Sequence, residues 1–225
     1  MTDDPETPGA NSWEINFAVT TEIDNDRSTI EAPLADFNYG VGARIELTYE
    51  IPLTLTGVQG QALQTGLDTS MAGVKYRFVD LERSGIAVST YPQFFFPAPV
   101  PSSLRTATTQ QNGVSSFLLP VEIEKHIGAF AFNEEVGYLF QPTPQNQWMI
   151  GSSVSYPLTS KTLLLAEVHG FMTSNFNDEE MVFNLGGEVQ IDSKHVLLLS
   201  TGHSLLDFQG DSPSFMSYLG MQFLL

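Results

Sequence analysis

The amino-acid sequence predicts an all-β fold: a transmembrane, antiparallel, up-and-down β-barrel of about twelve strands with both termini on the periplasmic side. Three observations predict it. Apolar and polar residues alternate in twelve stretches, and a period of two puts the two sets on opposite faces of a strand. The connections between the stretches are alternately long and short, the order that bacterial outer-membrane barrels keep. The apolar faces also gather aromatic rings near strand ends, where a barrel meets the two membrane interfaces.

Strands are read at 13–21, 34–40, 45–52, 67–79, 86–96, 114–124, 129–140, 148–156, 163–172, 181–191, 196–205 and 215–225. In the first, Trp13, Ile15, Phe17 and Val19 oppose Glu14 and Asn16. In the second and third, Phe37, Tyr39, Ile45, Leu47, Tyr49 and Ile51 oppose Asp36, Asn38, Glu46, Thr48 and Glu50. In the fourth, Val74, Tyr76 and Phe78 oppose Lys75 and Arg77, and in the sixth Phe117, Leu119, Val121 and Ile123 oppose Glu122 and Glu124. The tenth sets Phe183, Leu185, Val189 and Ile191 against Asn184, Glu188 and Gln190. The last alternates through Leu219, Met221, Phe223 and Leu225 to the end of the chain.

The long connections fall at 22–33, 53–66, 97–113, 141–147, 173–180 and 206–214, the short ones at 41–44, 80–85, 125–128, 157–162 and 192–195. This divides the chain into a periplasmic N-terminal tail, residues 1–11, and a barrel, residues 12–225. Basic residues favour the short turns (Arg44, Arg83, Lys125, Lys161, Lys194), and carboxylates favour the long loops and their edges (Asp24, Asp26, Glu31, Asp178, Glu179, Glu180, Asp207, Asp211). Solvation alone explains acidic loops. A sharper expectation is that they hold divalent cations against anionic lipid headgroups, since hard cations choose oxygen ligands. The interface aromatics expected are Trp13, Tyr39, Phe78, Phe130, Tyr156 and Phe223 at the turn end, and Tyr49, Phe96, Phe117, Phe140 and Trp148 at the loop end.

Composition excludes several classes. With no cysteine in 225 residues, neither a disulfide framework nor a thiolate metal site exists. A formal charge of −17 argues against a nucleic-acid partner, because phosphate contacts need Lys and Arg. The most apolar stretch, 86–104, contains Pro92, Pro97, Pro99 and Pro101, which a spanning helix would not tolerate. The opening Met1-Thr2-Asp3-Asp4 has no apolar segment, so no signal peptide is read there.

If the aromatic face meets lipid, the polar face lines the lumen. The lumen-lining residues expected are Glu14, Asp36, Glu46, Glu50, Lys75, Arg77, Glu122, Glu124, Glu135, Glu167, His169, Asn184, Glu188 and His203. Closing each hairpin in register yields two rows, His169–Asn184–His203 and Glu135–Ser153–Glu167–Gly186–Thr201, which a one-residue slip would break. A hydrogen-bonded lumen network explains them better than a metal or acyl-transfer site. No catalytic residue, metal or cofactor is expected. Lys75 and Arg77 are the only cations on the polar faces, and Arg77 is expected to brace the wall against Glu46, Glu122 or Glu124. Loop 97–113, with its prolines and no acidic residue, is a candidate plug.

Asp36-Phe37-Asn38-Tyr39-Gly40-Val41-Gly42, Tyr49-Glu50-Ile51-Pro52 and Gly73-Val74-Lys75-Tyr76-Arg77-Phe78 follow one another along the chain. Leu165-Ala166-Glu167-Val168-His169-Gly170, Asn184-Leu185-Gly186 and Leu197 through Leu205 come after them. In that order the runs resemble outer-membrane transporters assigned to the meta-pathway of phenol degradation. The resemblance spans nearly the whole chain. It implies an envelope barrel that carries small molecules, and it supplies no catalytic residues. The expected function is therefore a passive channel for small hydrophobic or cationic molecules in the outer membrane of a Gram-negative bacterium, monomeric, with membrane lipid as partner. The alternatives are a closed structural or partner-binding barrel, and a soluble acidic β-sandwich or lipocalin-like binder that buries the aromatic face.

Overall fold

A computed structural model describes residues 2–106, 114–142, 146–176, 179–207 and 213–225. The elements are β1 (Trp13–Ile23), β2 (Arg27–Val41), β3 (Ile45–Val58), β4 (Gln64–Leu67), β5 (Thr69–Val79), α1 (Leu81–Ser84), β6 (Ala87–Thr90), β7 (Gln93–Pro97), β8 (Ser116–Ile127), β9 (Phe130–Phe140), β10 (Gln147–Thr159), β11 (Thr162–Thr173), β12 (Glu179–Gln190), β13 (His195–Asp207) and β14 (Phe215–Leu224). The pairs β4/β5 and β6/β7 each share one stave, so the wall has twelve antiparallel staves in chain order. It closes where β1 pairs β14, from Glu14 opposite Leu224 to Ile23 opposite Phe215. Closure leaves no edge with unpaired N–H and C=O groups. No described helix is long and apolar enough to cross a membrane.

The wall turns tightly at one end. Gly128-Ala129 joins β8 to β9 as a two-residue hairpin with Ile127 opposite Phe130, and Gly128 supplies the positive φ of 64° that such a turn needs. The opposite end departs from expectation at its first two connections. Residues 24–26 and 59–63 suffice where 22–33 and 53–66 were expected, because β1, β2 and β3 run on as paired strands. Thr20, Thr21, Thr29 and Ile30 are β-branched and keep pairing. A register shift between Glu31 and Leu34 disguises the continuity by breaking the alternation locally. The fifth stave breaks at Tyr91-Pro92: Pro92 has no N–H to give the ladder, and its carbonyl instead accepts from Val74 N at 3.0 Å.

Burial is inverted relative to a water-soluble protein. Among the largest fully buried side chains are Glu122, Thr54, Thr106, Ser70 and Ser89, whereas Phe17, Leu47, Val74, Leu119, Val136 and Leu185 are exposed. The exposed rings gather in contacts. At the turn end Trp13 lies 4.7 Å from Tyr39, Phe130 lies 5.1 Å from Tyr156, and Phe78 and Phe223 contact Tyr76 and His195. At the loop end Tyr49 contacts Phe96, Phe117 contacts Phe140, and Trp148 lies 4.9 Å from Tyr138.

Candidate functional site

The inner wall is built from alternate residues of neighbouring strands. Glu46 of β3 pairs Lys75 of β5; Ser89 of β6 pairs Glu122 of β8; Glu122 pairs Glu135 of β9; Glu167 of β11 pairs Asn184 of β12. Three of these carboxylates have a donor on the wall: Thr48 Oγ1 to Glu46 at 3.0 Å, Ser89 Oγ to Glu122 at 2.5 Å, and Asn184 Nδ2 to Glu167 at 3.0 Å. Asp36 accepts from Asn16 and Asn38, both at 2.8 Å, Glu124 meets His126, and Gln222 reaches Glu14 at 3.3 Å. Lys75, only 3% exposed, is the cation at the centre of this belt.

Its partners come from the N-terminal tail. The sequence reads residues 1–11 as a periplasmic tail; in the structure residues 2–9 fold back from the turn rim into the lumen. Asn11 N donates to Gly40 O and Gly40 N to Ser12 O, so the chain turns inward at the rim. Gly9 then lies so close to the wall that a Cβ on Gly40 would meet Gly9 O at 1.7 Å. Pro5 is fully buried. Lys75 Nζ donates to Asp3 Oδ1 at 2.8 Å and to Asp4 O at 2.7 Å, and lies 4.9 Å above the Tyr91 ring. Asp3 N donates to Glu135 at 3.1 Å, and Thr2 N donates to Glu167. Thr2 packs where a Cβ on Gly151 would stand 2.4 Å from its Oγ1. Five strands therefore hold the tail: β2, β5, β9, β10 and β11.

This latch has a clear physical logic. A lone buried cation or carboxylate is costly, and a buried pair is tolerated only when its remaining donors and acceptors are satisfied. Lys75 supplies the positive charge, Asp3 the matching negative one, and the tail backbone the remaining donors and acceptor. Charge complementarity was the available signal: a tail opening Asp3-Asp4 faces a lumen with one deeply buried lysine, and small Gly40 and Gly151 make room for it.

Other expected positions fall as follows. Glu50 pairs Asp36, and Glu188 is half-buried between Leu163 and Leu198. His169 lies opposite Gly151 and Val182, not Asn184, because β11 and β12 pair Gly170 with Met181, two residues from the expected register. Glu135 faces Gly151 and Ser153 faces Asn133 for the same kind of reason. His203 is a correction. β12 and β13 pair Gln190, not Ile191, with Val196, and this one-residue slip turns His203 to the outer face, 6.4 Å from the Phe183 ring. Arg77 is another: it pairs with Asp80 at 3.5 Å and donates to Ala43 O at 2.8 Å, and Arg44 also meets Asp80, so the brace is at the turn rim rather than on Glu46, Glu122 or Glu124.

At the loop end, 98–106 folds onto the inner side of β4. Thr106 N donates to Leu67 O at 3.1 Å, Ala98 and Thr106 are buried, and a Cβ on Gly66 would meet the Arg105 backbone at 2.5 Å. Residues 107–113 of the candidate plug, and Asp178 and Asp211 among the acidic loop residues, lie outside the described residues. Asp24 caps its own turn, accepting from Asp26 N and Arg27 N, and Glu31 accepts from Thr20 Oγ1. Among the described residues no three His, Asp or Glu converge as a metal-binding group.

The tail does not fill the barrel. Beside it, at the turn end, a crevice of about 380 Å³ opens between β10, β11, β12, β13, β14 and β1, its polar lining including Glu14, Lys161, Glu188, Gln190 and Gln222.

No family model matches the chain, and no curated protein does. Solved structures do. The COG4313 outer membrane channel from Pseudomonas putida F1 superposes over 100% of this chain and 99% of its own, with a TM-score of 0.79 at 12% identity. The NanC porin covers 93% of this chain and 98% of its own at a TM-score of 0.65 and 9% identity. The KdgM porin covers 93% and 98% at 0.61 and 8%. At such identities the likeness is one of fold. The fold is a closed twelve-stranded barrel of the kind outer-membrane channels use.

Proposed function

We propose that the protein is a passive channel in the outer membrane of a Gram-negative bacterium, admitting small molecules through a lumen narrowed by its own N-terminal segment. The observation that carries this reading is the seating of Thr2 to Asp4 on Glu167, Glu135 and Lys75, beside the open crevice at Glu14 and Glu188. A twelve-stranded lumen lies between one that side chains fill and one that holds a water channel, so a segment of a few residues suffices to set its bore. The remaining passage is lined by carboxylates, which favours cationic and uncharged permeants and opposes anions. The resemblance to transporters of aromatic degradation and the channel neighbours both support small-molecule passage. The exposed rings at the two ends of the wall, Trp13, Tyr39, Phe130 and Tyr156 at one and Tyr49, Phe117 and Trp148 at the other, then lie at the membrane interfaces.

Planar-bilayer recording tests the proposal. Discrete, small, cation-selective openings are expected. Silence across voltage and salt would favour a second reading that the seated tail and the inward segment 98–106 also support, a closed barrel serving a structural or partner-binding role.

A further inference from the structure

Two adjacent carboxylates in one strand cannot share a face. In β9, Glu135 takes the inner face, which sends Glu134 outward. Glu134 pairs Ser152 across the β9–β10 ladder, and Ser152 Oγ donates to Glu134 Oε1 at 2.9 Å, with both side chains exposed on the outer wall. Ser152 is four residues from Trp148 and four from Tyr156, so the pair sits midway between the two rings of aromatics. At about 3.3 Å per residue and a tilt near 40°, it lies roughly 10 Å inside either belt.

The pair opens into a hollow of about 310 Å³ on the outer wall, walled by Val121, Ile123, Val136, Ile150, Val168 and Met181. Glu135 and Gly151 of the wall also line it. The second carboxyl oxygen of Glu134 accepts no hydrogen bond among the described residues. Hydrocarbon offers no water to it, and an ionisable group at membrane depth normally turns inward or finds a partner. Among the described residues, no group of the lumen or the tail hydrogen-bonds to Glu134 or Ser152.

We propose that the Glu134–Ser152 hollow binds a small lipid-dissolved amphiphile with an amine head, the amine donating to the free Glu134 oxygen and the apolar body lying along Val121, Ile123, Val136, Ile150, Val168 and Met181. A carboxyl acceptor selects a donor head of opposite charge, and the apolar walls select a hydrocarbon body. A volume of this size suits a ligand at the small end of binding pockets. The inference rests on the membrane reading above, because only lipid around β9 and β10 leaves the carboxyl without water.

The test uses the whole chain in lipid nanodiscs, with a diazirine-bearing hexylamine as probe and a diazirine-bearing hexane as control. Failure of the wild-type barrel to enter the discs overturns the membrane reading and this site with it. Once it is inserted, the amine probe should label peptides spanning the hollow, and Glu134→Leu should cut that labelling roughly tenfold, the weight of a hydrogen bond to a charged group. Glu134→Gln, which keeps an acceptor and removes the charge, should fall between, and the hexane control should not respond to either variant. Heat-modifiable migration checks that the variants fold, and Glu134→Leu should keep wild-type bilayer currents because the residue lies outside the lumen. Equal amine labelling of wild type and Glu134→Leu would overturn the proposal. So would disulfide-linked pairs of barrels formed by Ser152→Cys, which would make a second copy the occupant.

Discussion

The two sides of the lumen are built from the same kind of strand and behave as opposites. On the side of β5, β9, β10 and β11, Lys75, Glu135, Glu167 and Gly151 are covered by the tail, and Lys75, Glu135 and Glu167 each bond to it. On the side of β12, β13, β14 and β1, Glu188, Gln190, Gln222 and Glu14 line an open crevice. The difference traces to one buried cation. Lys75 gives the first side a deeply buried charge that an acidic tail can neutralise, whereas the cation lining the other side, Lys161, stands exposed in the β10–β11 turn. One half of the lumen is thus packed by the tail, and the other keeps an open crevice.

The largest effect that would sharpen this contrast is removal of residues 2–9. Single-channel conductance should rise roughly three- to tenfold, because the tail occupies much of a bore that is narrow to begin with. Next is Lys75→Met. It strands Asp3, Glu46 and Glu122 near one another, and breaking a buried pair typically costs about 3–5 kcal/mol. The tail should leave the lumen, with raised conductance and new protease sensitivity before residue 12, while the barrel stays closed. Gly40→Ala should act in the same direction with a smaller gain, since its Cβ meets Gly9 backbone at 1.7 Å; Gly151→Ala should do less, since it meets the Thr2 side chain, which can move.

Changes on the open side should leave the tail in place. Glu188→Gln combined with Glu14→Gln is expected to shift the reversal potential toward zero in a salt gradient with little change in conductance; an unchanged potential would mean that ions do not pass the crevice. The smallest effect is at the rim. In the β12–β13 turn, the Lys194 backbone N–H, helped by the His195 side chain, holds the Asp192 carboxyl below its ordinary range. A depressed carboxyl contributes stability above its unfolded value and loses it as pH falls through the folded value. Asp192→Asn should therefore lower the unfolding temperature slightly at neutral pH and not at all in strong acid, with no effect on either side of the lumen.

Much of this was legible in the residues. The alternation of Trp13 to Val19 or Phe117 to Glu124 assigns a face to each side chain without further help, because a strand has only two. Registers were less legible. Tyr156 stands opposite Leu164 only because a register shift between Pro157 and Thr159 follows the tight Ser160-Lys161 turn, and the β12–β13 connection holds four residues, whose number alone does not say which partner Gln190 takes. His203 therefore went to the wrong face. The tail was missed for another reason: its position depends on contacts with five separated strands, and only the Asp3-Asp4 to Lys75 complementarity hints at them. Glu134 was legible in principle, since Glu134-Glu135 within a strand must place one carboxyl on each face.

The central claim is that this barrel conducts and that its own N-terminal segment limits the current. Single-channel recording of the full chain beside the same chain lacking residues 2–9 tests it most directly. Small cation-selective openings that widen several-fold on removal of the segment are predicted; two silent proteins, or two equal conductances, would contradict it.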